Sequence, residues 1–130
     1  MKKTILLLLL LVALTSCNEA TEWKPQLIAY YAGDEKSIDD FDLNGVDQII
    51  YSFLHLKGNE LAIDNEADSL TLVNLVKQKE KYPNLKVLVS LGGWGGCETC
   101  SEVFSSAQGR IDFAVSTAKI IETFDADGID

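Results

Sequence analysis

"LKVLVSLGGWGG", residues 85–96, is the stretch whose reading decides the fold. Its first seven residues form a short, valine-rich apolar run, the length of a strand and too short for a helix. Glycines 92, 93, 95 and 96 then end it. Glycine directly after a buried strand lets the backbone approach a ligand or a neighbouring strand closely. A phosphate loop would need a Lys-[Ser/Thr] pair downstream, and none follows, so a nucleotide is not expected. The plain alternative is a tight turn at Gly92 and Gly93, with Trp94 packed in a core.

Outward from this strand the chain alternates. Upstream, residues 66–82 carry Leu70, Val73 and Val76 at helical spacing, broadened by Leu72 and Leu75. Acids open that segment, lysines close it and Pro83 stops it, which suits a helix dipole. Downstream, residues 107–124 predict a second helix with Ile111, Ala114, Val115, Ala118 and Ile121 on its inner face. "QLIAYY" (26–31) and "DQIIYSFLHL" (47–56) predict two earlier strands, the second apolar on both sides as in buried parallel sheets. A short helix capped by Ser37 and a small β excursion at Gly58 and Asn59 are expected between them and after them. "GID" (128–130) begins a fourth strand. Strands alternating with helices at this spacing mean βαβ units and a parallel sheet. Both an open doubly wound sheet and a (β/α)8 barrel fit. A barrel takes about 250 residues, so 130 would hold about half of one.

The amino terminus reads differently. Lys2 and Lys3 precede an apolar run over 5–14, shorter than the roughly 20 residues a membrane span needs. This is the pattern of a secretory leader. "LTSC" (14–17) resembles the bacterial lipobox, which implies cleavage before Cys17 and lipidation of its sulfur. Residues 1–16 are then the signal peptide, and 17–25 a polar tether. The whole chain has 20 acidic and 11 basic side chains, and the leader removes two of the bases. So acidic a surface excludes nucleic acid as a partner.

Three clusters remain. Cys97 and Cys100 form C-x-x-C, and export to an oxidising compartment makes a disulfide the expected state. A thioredoxin-like redox lipoprotein is the rival reading. Against it, Gly95 and Gly96 separate Trp94 from Cys97, and neither Pro25 nor Pro83 is placed opposite the cysteines. No metal site is expected, because two cysteines and a distant His55 are too few ligands. His55 itself is given no role. "DADGID" (125–130) reads as a solvated acidic turn, a cation loop with too few oxygens, or part of a site. Sites form at the carboxyl ends of the strands in both candidate architectures, and Asp130 would sit there.

Together these features resemble glycoside hydrolase family 18, the chitinase family. "SLGGW" (90–94) matches its S-x-G-G motif, and "DGID" (127–130) the first half of D-x-x-D-x-D-x-E. The likeness covers residues 26–130, with Ala126 replacing a usually bulkier residue. It implies a (β/α)8 TIM barrel, of which about the first half is present. It also implies hydrolysis of β-1,4 bonds between N-acetylglucosamine units, with the substrate's acetamido oxygen as nucleophile, an exception to the two-carboxylate rule. Asp127 and Asp130 become supporting acids. Ser90, Gly92 and Gly93 become site positions, and Tyr30 or Tyr31, Phe53 and Trp94 an aromatic floor for sugar rings. No cofactor is implied. The motif's last aspartate and its general-acid glutamate fall two and four residues past Asp130, beyond this sequence. The expectation is therefore the amino-terminal fragment of a longer bacterial lipoprotein, anchored through Cys17 in the cell envelope (outer membrane or cell surface in a Gram-negative cell). Alone it would be inactive and poorly folded. Alternatives within the same resemblance are an endo-β-N-acetylglucosaminidase on N-glycans and a non-catalytic glycan-binding barrel.

Overall fold

Valine and isoleucine runs become strands where both sides can be covered, and four such runs here make one sheet. The computed structural model describes residues 23–93 and 95–130; Cys17 and Trp94 lie outside the described residues. The strands are β1 (Ile28–Tyr31), β2 (Gln48–Lys57), β3 (Glu60–Ala62), β4 (Lys86–Leu91) and β5 (Gly128–Ile129). The helices are α1 (Glu66–Lys81), α2 (Cys100–Ser105) and α3 (Ala107–Phe124). β1, β2, β4 and β5 pair in that order, all parallel. β3 folds back antiparallel on the far end of β2 through Gly58 and Asn59, the expected β excursion.

Side chains alternate across this sheet. Ile49, Tyr51, Val87 and Val89 face α1 and α3 and build the core with Leu72, Leu75 and Ile120. Each such fully buried aliphatic side chain contributes about 1.5–3 kcal/mol. A sheet in chain order, with its helices on one face, is the beginning of a barrel; a doubly wound sheet would reverse its strand order at a switch point.

Caps fix the helix starts. The Asn65 side chain accepts the Asp68 N–H at 3.1 Å, and Ser106 Oγ accepts the Gly109 N–H at 2.8 Å. α3 ends on Asp125 in the left-handed region, φ 56°, and the Ala126 N–H returns to the Ile121 carbonyl. The short helix at Ser37–Asp40 is a 3-10 turn, and its cap is not Ser37. Asp34 Oδ1 instead accepts from the N–H groups of Lys36 and Ser37 and from the Ser37 hydroxyl. α2 lies in a stretch for which no element was expected.

α3 turns a different face inward from the one the periodicity suggested, whereas α1 keeps Leu72, Leu75 and Val76 of its expected stripe on the core and leaves Leu70 and Val73 outside. α3 buries Thr117 and Ile120, with Phe113 and Phe124 packed on the core, while Ile111 and Val115 are exposed. α1 buries Thr71, Leu72 and Leu75 and exposes Leu70 and Val73. A barrel helix touches the sheet on one side and neighbouring helices on its flanks, so its apolar arc is wider than its core stripe.

Candidate active site

At the carboxyl ends of the strands, Asp130 follows β5 with its N–H on the Val89 carbonyl at 2.8 Å. Its Oδ2 accepts the Tyr30 hydroxyl at 3.0 Å and the Ser90 hydroxyl at 3.1 Å. Three strands thus converge on one carboxylate oxygen. Register explains why. Tyr30, Ile50, Leu88 and Gly128 lie abreast across the sheet, on the side away from the helices. Ser90 and Asp130 are two residues further along the same face. Ser90 is buried, whereas Tyr30 is 60% exposed. The hydrogen bond to Asp130, with that residue's charge and some desolvation, raises the Tyr30 hydroxyl above its ordinary pKa of 10.0.

The other expected residues divide between two places. Phe53 and Gly93 meet: a Cβ at Gly93 would come within 2.6 Å of the Phe53 ring, and φ is +87° there. The register of β2 against β4 slips between Tyr51 and Leu54, where the Ser52–Phe53 peptide is cis. The Gly92 N–H donates to the Leu54 carbonyl at 3.0 Å. Gly96 presses on the Gly92 carbonyl and on the His55 ring, with no room for a side chain. Cys97 and Cys100 are bonded, their Cα atoms 5.2 Å apart, and close this glycine loop above β4.

Tyr31 and Asp127 are not brought to Asp130. Tyr31 packs against the core on the helix side and donates its hydroxyl to the Asp34 carbonyl. Asp127 also faces the helices. Its Oδ2 accepts the Val87 N–H at 2.7 Å and the Lys79 ammonium at 3.2 Å, and Lys79 further donates to the Asp125 carbonyl. Asp127 therefore pins the start of β5 to β4 and α1, and reaches Asp130 only through three residues of backbone.

Two contacts had no signal in the sequence. Lys79 lies 48 residues from Asp127. His55 pairs with Asp64 under the glycine loop, with Lys57 on the same carboxylate. Among the described residues, no three His, Cys, Asp or Glu side chains gather to hold a metal ion.

Known proteins resemble this chain in sequence and in fold. Mouse chitotriosidase-1 is 29% identical over 92 residues, which cover 70% of this chain and 20% of that protein. The chitinase domain of the spore coat protein CotE from Clostridium difficile superposes with a TM-score of 0.73 at 27% identity, over 88% of this chain and 31% of the other. Human YKL-39, described as a pseudo-chitinase with retained chitooligosaccharide binding, superposes at 0.67 with 22% identity, over 82% of this chain and 32% of its own. The chain thus spans a fifth to a third of these proteins. Residues 1–18 match the prokaryotic membrane lipoprotein lipid attachment site. Residues 26–130 match the sequence profile of glycosyl hydrolases family 18, which removes the thioredoxin-like alternative: the chain belongs to that family.

Proposed function

We propose that residues 26–130 form the first half of a chitinase barrel, tethered by residues 17–25 to a lipid on Cys17 in the cell envelope. The reaction is hydrolysis of β-1,4 bonds between N-acetylglucosamine units, retaining and assisted by the substrate's acetamido group. The observation that carries this reading is the convergence of Tyr30 and Ser90 on Asp130 at the carboxyl ends of parallel strands. A carboxylate held by two hydroxyls beside an exposed aromatic ring suits a site that both places charge and stacks a sugar. Asp130 supports the general acid, a glutamate four residues on. Asp127 keeps its supporting role only indirectly, as the clip that sets β5. Gly92, Gly93 and Phe53 shape the adjoining wall.

The experiment is hydrolysis of chitooligosaccharides by the full-length protein, with the anomer of the first product read by NMR. Release of the β-anomer supports the reading; release of the α-anomer overturns it. A second reading, the glycan-binding barrel without activity, draws support from the likeness to YKL-39. It predicts chitooligosaccharide binding with no turnover, and any residue but glutamate four positions past Asp130. Cleavage of N-glycans with chitooligosaccharides left intact would favour the endo-β-N-acetylglucosaminidase.

A further inference from the structure

We infer that the Cys97–Cys100 disulfide and the His55 ring are positioning groups for the substrate: together they hold the glycine loop over residues 92–96 as a fixed wall beside Ser90 and Asp130. The inference deepens the function proposed above and rests on it.

The loop has little of its own to keep it in place. Four of residues 92–96 are glycine, and glycine gives up more conformational freedom on ordering than any other residue. A loop of that composition is a wall only where its surroundings fix it. Gly92 comes two residues after Ser90, whose hydroxyl reaches Asp130 at 3.1 Å, so the loop begins beside the carboxylate.

On one side β2 supplies three supports. The Leu54 carbonyl accepts the Gly92 N–H at 3.0 Å, and the Phe53 ring lies against Gly93. The His55 ring lies against Gly96, where a Cβ would meet it at 2.8 Å. His55 is itself held. Its Nδ1 pairs with Asp64, and the Lys57 ammonium donates to the carbonyls of Ile63 and Asp64 at 2.9 and 3.3 Å. Asp64 adjoins Asn65, whose side chain caps α1. The ring is thus braced on the start of a 16-residue helix.

On the other side the support is covalent. The loop turns at Gly93, whose carbonyl accepts the Gly96 N–H at 3.1 Å. This brings Cys97 back over Gly92, with 3.6 Å between the Cys97 Cβ and a Cβ placed on Gly92. Cys97 is bonded to Cys100, the first residue of α2. α2 in turn is anchored on α3. Val103 is buried, the Phe104 ring meets the Phe113 ring edge-on at 5.0 Å, and the Arg110 guanidinium donates to the Phe104 carbonyl at 2.7 Å. The backbone closes the same turn with a long hydrogen bond, the Cys100 N–H on the Cys97 carbonyl at 3.3 Å, so the sulfur bridge carries the closure.

Asp130 takes its hydroxyls from Tyr30 and Ser90, and its N–H rests on the Val89 carbonyl. None of these contacts passes through the cysteines or His55. Loosening the loop therefore weakens a surface that holds substrate and transition state alike, which raises KM and leaves kcat in place.

The test uses the full-length protein in three forms. Cys97→Ser with Cys100→Ser removes the covalent tie. His55→Asn keeps an N–H for Asp64 and removes the ring under Gly96. Dithiothreitol on the folded wild type opens the bond without refolding: two electrons and two protons pass to the pair, leaving two thiols and the cyclic disulfide of the reagent. Steady-state kinetics on a chitooligosaccharide give KM and kcat, and amide hydrogen exchange follows peptides over 92–100. Each form should raise KM about tenfold with kcat within about twofold. Exchange over 92–100 should quicken while β4 and α3 keep their protection. Oxidised glutathione, taking the two electrons back, should restore KM of the reduced wild type. In a barrel that binds without turnover, Kd takes the place of KM. Unchanged KM in an active protein, a fall in kcat at constant KM, or unchanged exchange over 92–100 overturns the positioning role alone. Where the double serine chain fails to fold, the reduced wild type and His55→Asn decide. A wild type that neither cleaves nor binds chitooligosaccharides overturns the proposed function, and this inference with it.

Discussion

Asp130 takes two hydroxyl donors that differ in surroundings. Ser90 is buried and cannot exchange its bond for one to water; Tyr30 is largely exposed and can. A hydrogen bond to a charged group contributes about 1.5–3 kcal/mol when desolvated and less in water. In the full-length enzyme, Ser90→Ala should lower kcat/KM about tenfold to a hundredfold, and Tyr30→Phe less. Steady-state kinetics on a chitooligosaccharide check this, and a Tyr30→Phe loss as large as that of Ser90→Ala would contradict the burial argument. Tyr30 also gives a pH signature. Its hydroxyl is raised, first by the hydrogen bond to Asp130, so the contact is complete below pH 10.0 and is lost as pH climbs through the higher folded value. Asp130→Asn should bring the Tyr30 titration back toward 10.0, read by near-ultraviolet absorbance against a Tyr30→Phe blank. Parity along a strand also governs the two motif acids. Positions 127 and 130 differ by an odd number, so an extended chain sends them to opposite faces. The alternation that put Ile129 opposite Asp130 was legible in the sequence, and it puts Asp127 with Ile129. Grouping Asp127 with Asp130 as supporting acids did not take that alternation into account.

Among the elements, β5 is only two residues long and owes its place to a side chain. Asp127 satisfies the Val87 N–H and Lys79 together, with both charged groups less than a third exposed. Asp127→Ala leaves the Val87 N–H without its acceptor and strips Lys79 of one of its two carboxylates, Asp125 remaining, and should cost about 2 kcal/mol. Urea unfolding of the full-length protein measures that cost. Lys79→Met should cost less, because the Val87 bond survives. Existence and order of the strands and long helices were legible because apolar periods of 2 and 3.6 are local properties. The facing of α3 was not, although that of α1 was legible at Leu72, Leu75 and Val76. Ile111, Ala114 and Val115 are wholly apolar, whereas the set the sheet covers, Phe113, Thr117 and Ile120, includes a threonine, so only the sheet decides which set is buried. The cap at Asp34 was missed for a similar reason: aspartate and serine both cap, and the one further upstream reaches the N–H groups. The glycine loop was legible as a close approach, but what approaches it, Phe53 and His55, comes from a strand some 40 residues earlier.

At the scale of the whole molecule, β1 and β5 are unpaired edges of the sheet among the described residues, and the sheet has a face suited to the inside of a barrel. Ile28 and Tyr30 are exposed on that face or beside it. Exposed Ile111 and Val115 mark an uncovered flank of α3. Parallel sheets persist with both faces covered, and open edges pair with other chains. The outer half of the structure, by contrast, is well made: Leu72, Leu75, Val87 and Val89 are inaccessible to solvent. A polypeptide confined to residues 17–130 should therefore keep its helix-side core while seeking partners for its inner face. In sedimentation it should run as multimers, bind a hydrophobic dye and hydrolyse no chitooligosaccharide. Its net charge is too small a repulsion to prevent this, because salt screens charges beyond about 8–10 Å while edge pairing acts at contact. Raising the salt should deepen the association, as expected of burial of apolar surface rather than of ion pairing. A monodisperse monomer of that length, unfolding cooperatively and cleaving the substrate, would show that half a barrel is a sufficient enzyme and would overturn the assignment of the general acid to a residue past Asp130.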